Sequence, residues 1–210
     1  MQAHEFKYVK SRQRYIRKTE YGFDEFVWYA LENFKSGWRG GPAHQGNYGI
    51  GIRHNKVQSL LEPLDLIVGK QNKQRASTIH RAVTGQYFPF KKRRDIEFNI
   101  LFSKREKQSK ITTNRMKDML LTDGLNWFKK YSNLNILYDD MKKLDKKSYL
   151  LVNNPETLPL TTAALACIVA PREFMDLKLR SLENTLLHKK ERLSSRLDRI
   201  LAEAEKQNLL

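Results

Sequence analysis

The stretch NYGIGIRHNKVQSLLEPL, residues 47–64, changes its hydrophobic period partway along, and that change decides the fold class. From Asn47 to Arg53 the pattern alternates: Tyr48, Ile50 and Ile52 share one face, while Gly49 and Gly51 take the other. Period two marks a strand, and the two glycines leave a bare face on which another backbone can lie closely. From His54 onward the period lengthens to 3.6, so a helix follows the strand directly. Asn55 with Gln58 three positions on predicts a capping box, and Pro63 ends the helix early.

Upstream, Gln13–Lys18 reads as a short polar strand, and Phe23–Leu31 (FDEFVWYAL) is apolar on both alternating faces, as a central strand covered on both sides would be. Downstream, a second strand pair is predicted over Ser77–Phe90 and Asp95–Phe102. In the latter, Ile96, Phe98, Ile100 and Phe102 face one way and Asp95, Glu97 and Asn99 the other. From Thr112 the period is helical. Asp123-Gly124 interrupts it, and LNWFKKYSNLNILYDDMKKL reads as two helical pieces meeting near Ser132. Ser148–Val152 reads as a short strand, Thr161–Ala170 as a helix of small residues, and Pro171 as the start of a helix running to Gln207, about 55 Å at 1.5 Å per residue. Strands first and helices afterward argue for an α+β fold: an antiparallel sheet built mainly from the N-terminal half, helices mainly from the C-terminal half, and a long C-terminal helix. The expected organisation is one α+β domain over residues 1–170, with the helix of 171–210 packed on it or projecting.

Charge is the strongest compositional signal. The net charge is +16 over 210 residues, and it is unevenly placed. Residues 70–117 carry 14 Lys and Arg against three Asp and Glu, a net of +11, whereas 21–69 and 118–177 are each at −1. Clustering of one sign raises self-repulsion, so it points to an anionic partner, either nucleic acid or an acidic protein. Within that segment, Lys91, Lys92, Arg93 and Arg94 lie where the second strand begins, and Lys104, Arg105 and Lys107 follow its other end. The two groups are about 35–45 Å apart if the chain is extended, so a long polyanion suits them better than a small ligand. The longest apolar run, AALACIVA at 163–170, is far below the roughly 20 residues of a membrane-spanning helix. Cys167, the one cysteine, sits in that run and reads as a buried structural thiol. With no apolar h-region near the N-terminus, the expectation is a soluble, cytoplasmic protein without a membrane partner.

Catalytic signatures are sparse. No two of His4, His44, His54, His80 and His188 stand at metal-ligand spacing, and no HExxH, P-loop, GxSxG or CxxC occurs, so neither a cofactor nor a metal is expected. One enzymatic alternative is a metal-dependent nuclease: Asp95 and Glu97 point the same way along a strand, and His54 or His80 would serve as base. Asp139 and Asp140 read as a solvated helix face against Lys142, Lys143, Lys146 and Lys147.

The order of elements in residues 6–61, the strand NYGIGIRH with its short helix, and the later aromatic segment GLNWFKKYSNLNILYDDM together resemble a group of uncharacterised bacterial α+β proteins, a domain of unknown function. The resemblance implies an opening antiparallel meander and a role in binding other proteins, in some members beside toxin-immunity or phage-defence genes. It brings no catalytic residues.

The expectation is therefore a non-catalytic, basic interaction module that binds nucleic acid through its phosphates, in a bacterial defence setting. The alternatives are an immunity or complex subunit docking an acidic protein, and the nuclease. In the C-terminal helix, Leu186, Leu193, Leu197 and Ile200 form a stripe expected to dock a partner or a second copy, or else to be ordinary core.

Overall fold

In a computed structural model the alternating segments pair into one six-stranded sheet. The structure describes residues 4–10, 14–34, 43–64, 79–82, 99–101, 114, 117–118, 120–152 and 155–210. The strands are β1 (Lys7–Val9), β2 (Arg14–Thr19), β3 (Gly22–Phe34), β4 (Ala43–His54), β5 (Ile79–Ala82) and β6 (Asn99–Leu101). Their order is β1-β2-β3-β4-β5, with β6 also paired to β4. β1 pairs antiparallel with β2, Tyr8 opposite Tyr15, and β4 pairs antiparallel with β6, His44 opposite Ile100. The helices are α1 (Asn55–Leu61), α2 (Leu125–Tyr131), α3 (Leu134–Met141), α4 (Lys146–Tyr149), α5 (Leu158–Val169), α6 (Phe174–Glu183) and α7 (Leu187–Lys206). The fold is α+β, as the switch of period requires. β1 has no counterpart among the predicted strands, because three residues are too few to show an alternation.

The chain gathers into two compact units: Met1–Lys18, Asp24–Gly51 and Arg81–Lys129 in one, and Thr19–Phe23, Ile52–His80 and Lys130–Leu210 in the other. In the first unit, Phe6 and Phe128 pack with ring centroids 5.7 Å apart, and the Arg17 guanidinium lies over both rings. Two carboxylates of β3 are buried in this unit. Asp24 is bonded to Arg17 and Glu25 to Arg14, so each buried charge has a cation that compensates for its lost hydration.

In the second unit the small residues Ala163, Ala164, Ala166 and Cys167 let α5 sit buried all round, in contact with α1, α3, α6 and α7. Burial pushes the Cys167 thiol up to about 12, consistent with a structural role. The turn before β3 locks onto the junction of β4 and α1: the Asn55 amide donates to the Tyr21 carbonyl at 2.8 Å. Gly22 beside it has φ +148°, and a Cβ there would stand 2.2 Å from the Arg53 carbonyl oxygen. Only glycine fits that approach.

Three predicted local features differ. The N-cap of α1 is His54, while Asn55 begins the helix and its side chain accepts from Arg53 Nε at 3.1 Å. Ser148–Val152 is not a strand. Asp145 caps a helical turn there, accepting from the Ser148 amide at 2.8 Å. The helix expected from Pro171 to Gln207 is broken between α6 and α7, where Leu186 is extended with ψ 139°. The Asn184 and Thr185 side chains donate to the carbonyls of Arg180 and Ser181, local bonds of the kind that compete with helix continuation. No helix among the described residues is long and apolar enough to cross a membrane.

Candidate nucleic-acid interface

Helix α7 buries Leu197, Ile200 and Ala204 completely. That apolar stripe fixes how the helix is rotated, and so decides which side chains lie along its flank. Lys189, Arg192, Arg196 and Arg199 follow at i, i+3, i+7 and i+10, within an arc of about 80° and over about 15 Å. The row is tied at both ends. Lys189 Nζ lies 2.7 Å from a Glu156 carboxylate oxygen, and the Arg199 guanidinium donates to the Pro63 carbonyl. Asp198, on the other side of the helix, is held by Lys178.

Like charges crowd along this row. Burial lowers the pKa of Arg196, and the neighbouring Arg192 and Arg199 add to the shift while Glu156 opposes it. The group stays cationic at any physiological pH. Glu156 shows the same field from the other side: its bond to Lys189 and the charge of that lysine hold its carboxyl below the usual range, with Arg192 and Arg196 reinforcing the effect. Lys189, Arg192 and Arg196 thus all act on Glu156, three cations to that one carboxylate, and the flank can take up further negative charge.

The residues singled out from the sequence fall differently. Lys91, Lys92, Arg93, Arg94, Lys104, Arg105 and Lys107 lie outside the described residues, as do Asp95 and Glu97. Leu197 and Ile200 are core of the second unit, Leu193 is half-buried, and Leu186 is 65% exposed. The large exposed apolar groups on this part of the chain are Met175, Leu179, Leu186 and Leu187, on α6 and at its junction with α7. The leucine stripe read from the sequence is therefore divided: its later members pack inward, and its first member faces outward.

His54 is buried, and its Nε2 lies 2.8 Å from the Tyr131 carbonyl, which can only accept, so that nitrogen carries the proton. Burial lowers its pKa, and the bond to Tyr131 opposes the shift. Such a ring is a structural tie rather than a solvent-facing base. Asp140 is not simply part of a solvated acidic face: Lys130 binds it at 2.6 Å and the Tyr131 hydroxyl at 3.1 Å, while Asp139 does pair with Lys142. Among the described residues, no group of three or more His, Cys, Asp or Glu is placed to hold a metal ion.

The α7 row was missed in the sequence although its signal is present. Its cations recur at i, i+3, i+7 and i+10, a helical spacing that runs along the flank next to the leucine stripe. Comparison with protein-family models, with curated proteins and with solved structures returns no match for this chain.

Proposed function

We propose that this protein is a non-catalytic module that binds nucleic acid through phosphate contacts, in the defence setting that the sequence resemblance implies. The observation that carries the reading is the cationic row on α7, held in place by a buried helix face and paired to Glu156 through Lys189. The +11 surplus in residues 70–117 supports the same reading. Contacts of this kind position a backbone without reading bases, so the expected binding is strong at low salt and weakly dependent on sequence. Fluorescence anisotropy with a labelled duplex and a labelled single strand tests it. Replacing Arg192, Arg196 and Arg199 with Gln weakens binding to both if the reading holds, and leaves both unchanged if it does not.

A second reading, docking of an acidic protein, is favoured by one different observation. Met175, Leu179, Leu186 and Leu187 are exposed, and large apolar anchors serve protein interfaces rather than phosphate contacts. Leu179→Ser with Leu186→Ser abolishes partner capture under that reading and leaves nucleic-acid affinity untouched under the first.

A further inference from the structure

Lys189, Arg192 and Arg196 line one flank of α7, and Lys189 bonds a carboxylate there. Glu156 lies in the short 3-10 turn Pro155–Thr157, just before α5. Its oxygen stands 2.7 Å from Lys189 Nζ, and Arg192 and Arg196 both act on it electrostatically. Three cations on successive turns of one helix flank thus stand beside a carboxylate supplied from another element and bonded to the first of them. Neither side is rigidly buried: Lys189 and Glu156 are each about half exposed, so the pair can open without disturbing the core. Exposed pairs of this kind hold weakly, so a ligand that offers several anionic groups at once can displace them. A phosphodiester carries the same single charge over two oxygens, a nucleic acid offers many of them in a row, and guanidinium groups bind phosphate through paired donors.

We propose that Lys189, Arg192 and Arg196 form a phosphate-binding cup occupied in cis by Glu156, which acts as an internal competitor that a nucleic-acid phosphate must displace. This rests on the reading of the protein as a phosphate-contacting module and adds a regulatory element to it. Glu156 sets the affinity of the row: with its charge in place, weak anions and incidental contacts are turned away, and a polyanion that offers several phosphates at once still binds.

The test uses the full chain and three variants. Glu156→Gln keeps the size of the side chain and removes its charge. Asp198→Asn changes the net charge equally but on the other side of α7, so it reports any general gain from a more positive protein. Arg192→Gln with Arg196→Gln, added to Glu156→Gln, removes the cup itself. Circular dichroism confirms that each is folded, and Glu156→Ala replaces Glu156→Gln should the latter fail.

With a labelled duplex, Glu156→Gln is expected to bind roughly two- to fivefold more tightly than wild type, the size that an exposed ion pair sets. Asp198→Asn is expected to stay within twofold of wild type, and the combined variant to lose the gain. If wild type binds and Glu156→Gln binds no better than Asp198→Asn, the cup proposal is overturned and the functional reading stands. If wild type binds no nucleic acid, the functional reading fails, and titration with inorganic pyrophosphate by calorimetry then decides the cup. Tighter pyrophosphate binding by Glu156→Gln that disappears with Arg192 and Arg196 supports it, and equal binding by all forms overturns it.

Discussion

Replacing Leu197 with Ala distinguishes a core helix from a projecting one. Leu197 has no exposed surface, and α7 packs on α5, α6 and α1 within the same unit. A leucine truncated at such a site loses its transfer free energy and leaves a cavity, together about 2–5 kcal/mol. Against a typical domain stability of about 5–15 kcal/mol that is a large fraction. With a urea dependence of about 2 kcal/mol/M, the unfolding midpoint falls by roughly 1–2.5 M. Far-ultraviolet circular dichroism follows the transition, since the unit is mostly helical. Leu187→Ala is the paired control: Leu187 is 85% exposed, so its truncation stays within about 0.5 kcal/mol. The reasoning is refuted if Leu197→Ala is as mild as the control, or if it leaves the fold intact while reducing assembly size in light scattering.

Gly22→Ala forces a Cβ against the Arg53 carbonyl oxygen at a φ that L-residues rarely adopt, so it destabilises by about 1–3 kcal/mol in the same assay. Asp24→Asn leaves Arg17 without its buried counter-charge. The loss approaches the roughly 3–5 kcal/mol of a fully buried pair, reduced because the Arg17 side chain keeps 24% of its exposure. His54 gives a pH signature. Its folded pKa is lowered, so the unfolded chain takes up a proton that the folded chain refuses, and stability is full above the unfolded value of about 6.5 and falls as pH drops below it. Melting curves from pH 8 to 5 check this. His54→Gln, which cannot titrate, shows a shallower fall over the same range, and an equal fall in both proteins refutes the assignment.

The fold class was legible because Asn47–Arg53 and Asn55–Leu61 carry different periods side by side, and that contrast survives without tertiary knowledge. Asn133 as a cap between two helices was foreshadowed by the break near Ser132. Elements decided by competition were not legible. Ser148–Val152 is apolar enough for a strand, yet Asp145 captures its start into a helical turn. Asn184 and Thr185 interrupt a helix whose leucines run on at the same spacing. For the site, charge density was legible but geometry was not. Whether Leu197 and Arg196 face inward or outward depends on which side of α7 meets α5, and the sequence of α7 alone leaves that open. The pairing of Glu156 with Lys189, 33 residues away, has no local signature at all.

The salt dependence of binding tests the phosphate-contact account most directly. Each cation that meets a phosphate releases counterions and contributes about −0.9 to the slope of log K against log salt concentration. Binding of a duplex by wild type is predicted to show a slope of about −3.6 or steeper, about −3.6 being the value for the four cations of the α7 row. The variant lacking Arg192, Arg196 and Arg199 is predicted to lose about 2.7 of that slope. A slope near zero in wild type, or one that the triple replacement leaves unchanged, contradicts the account.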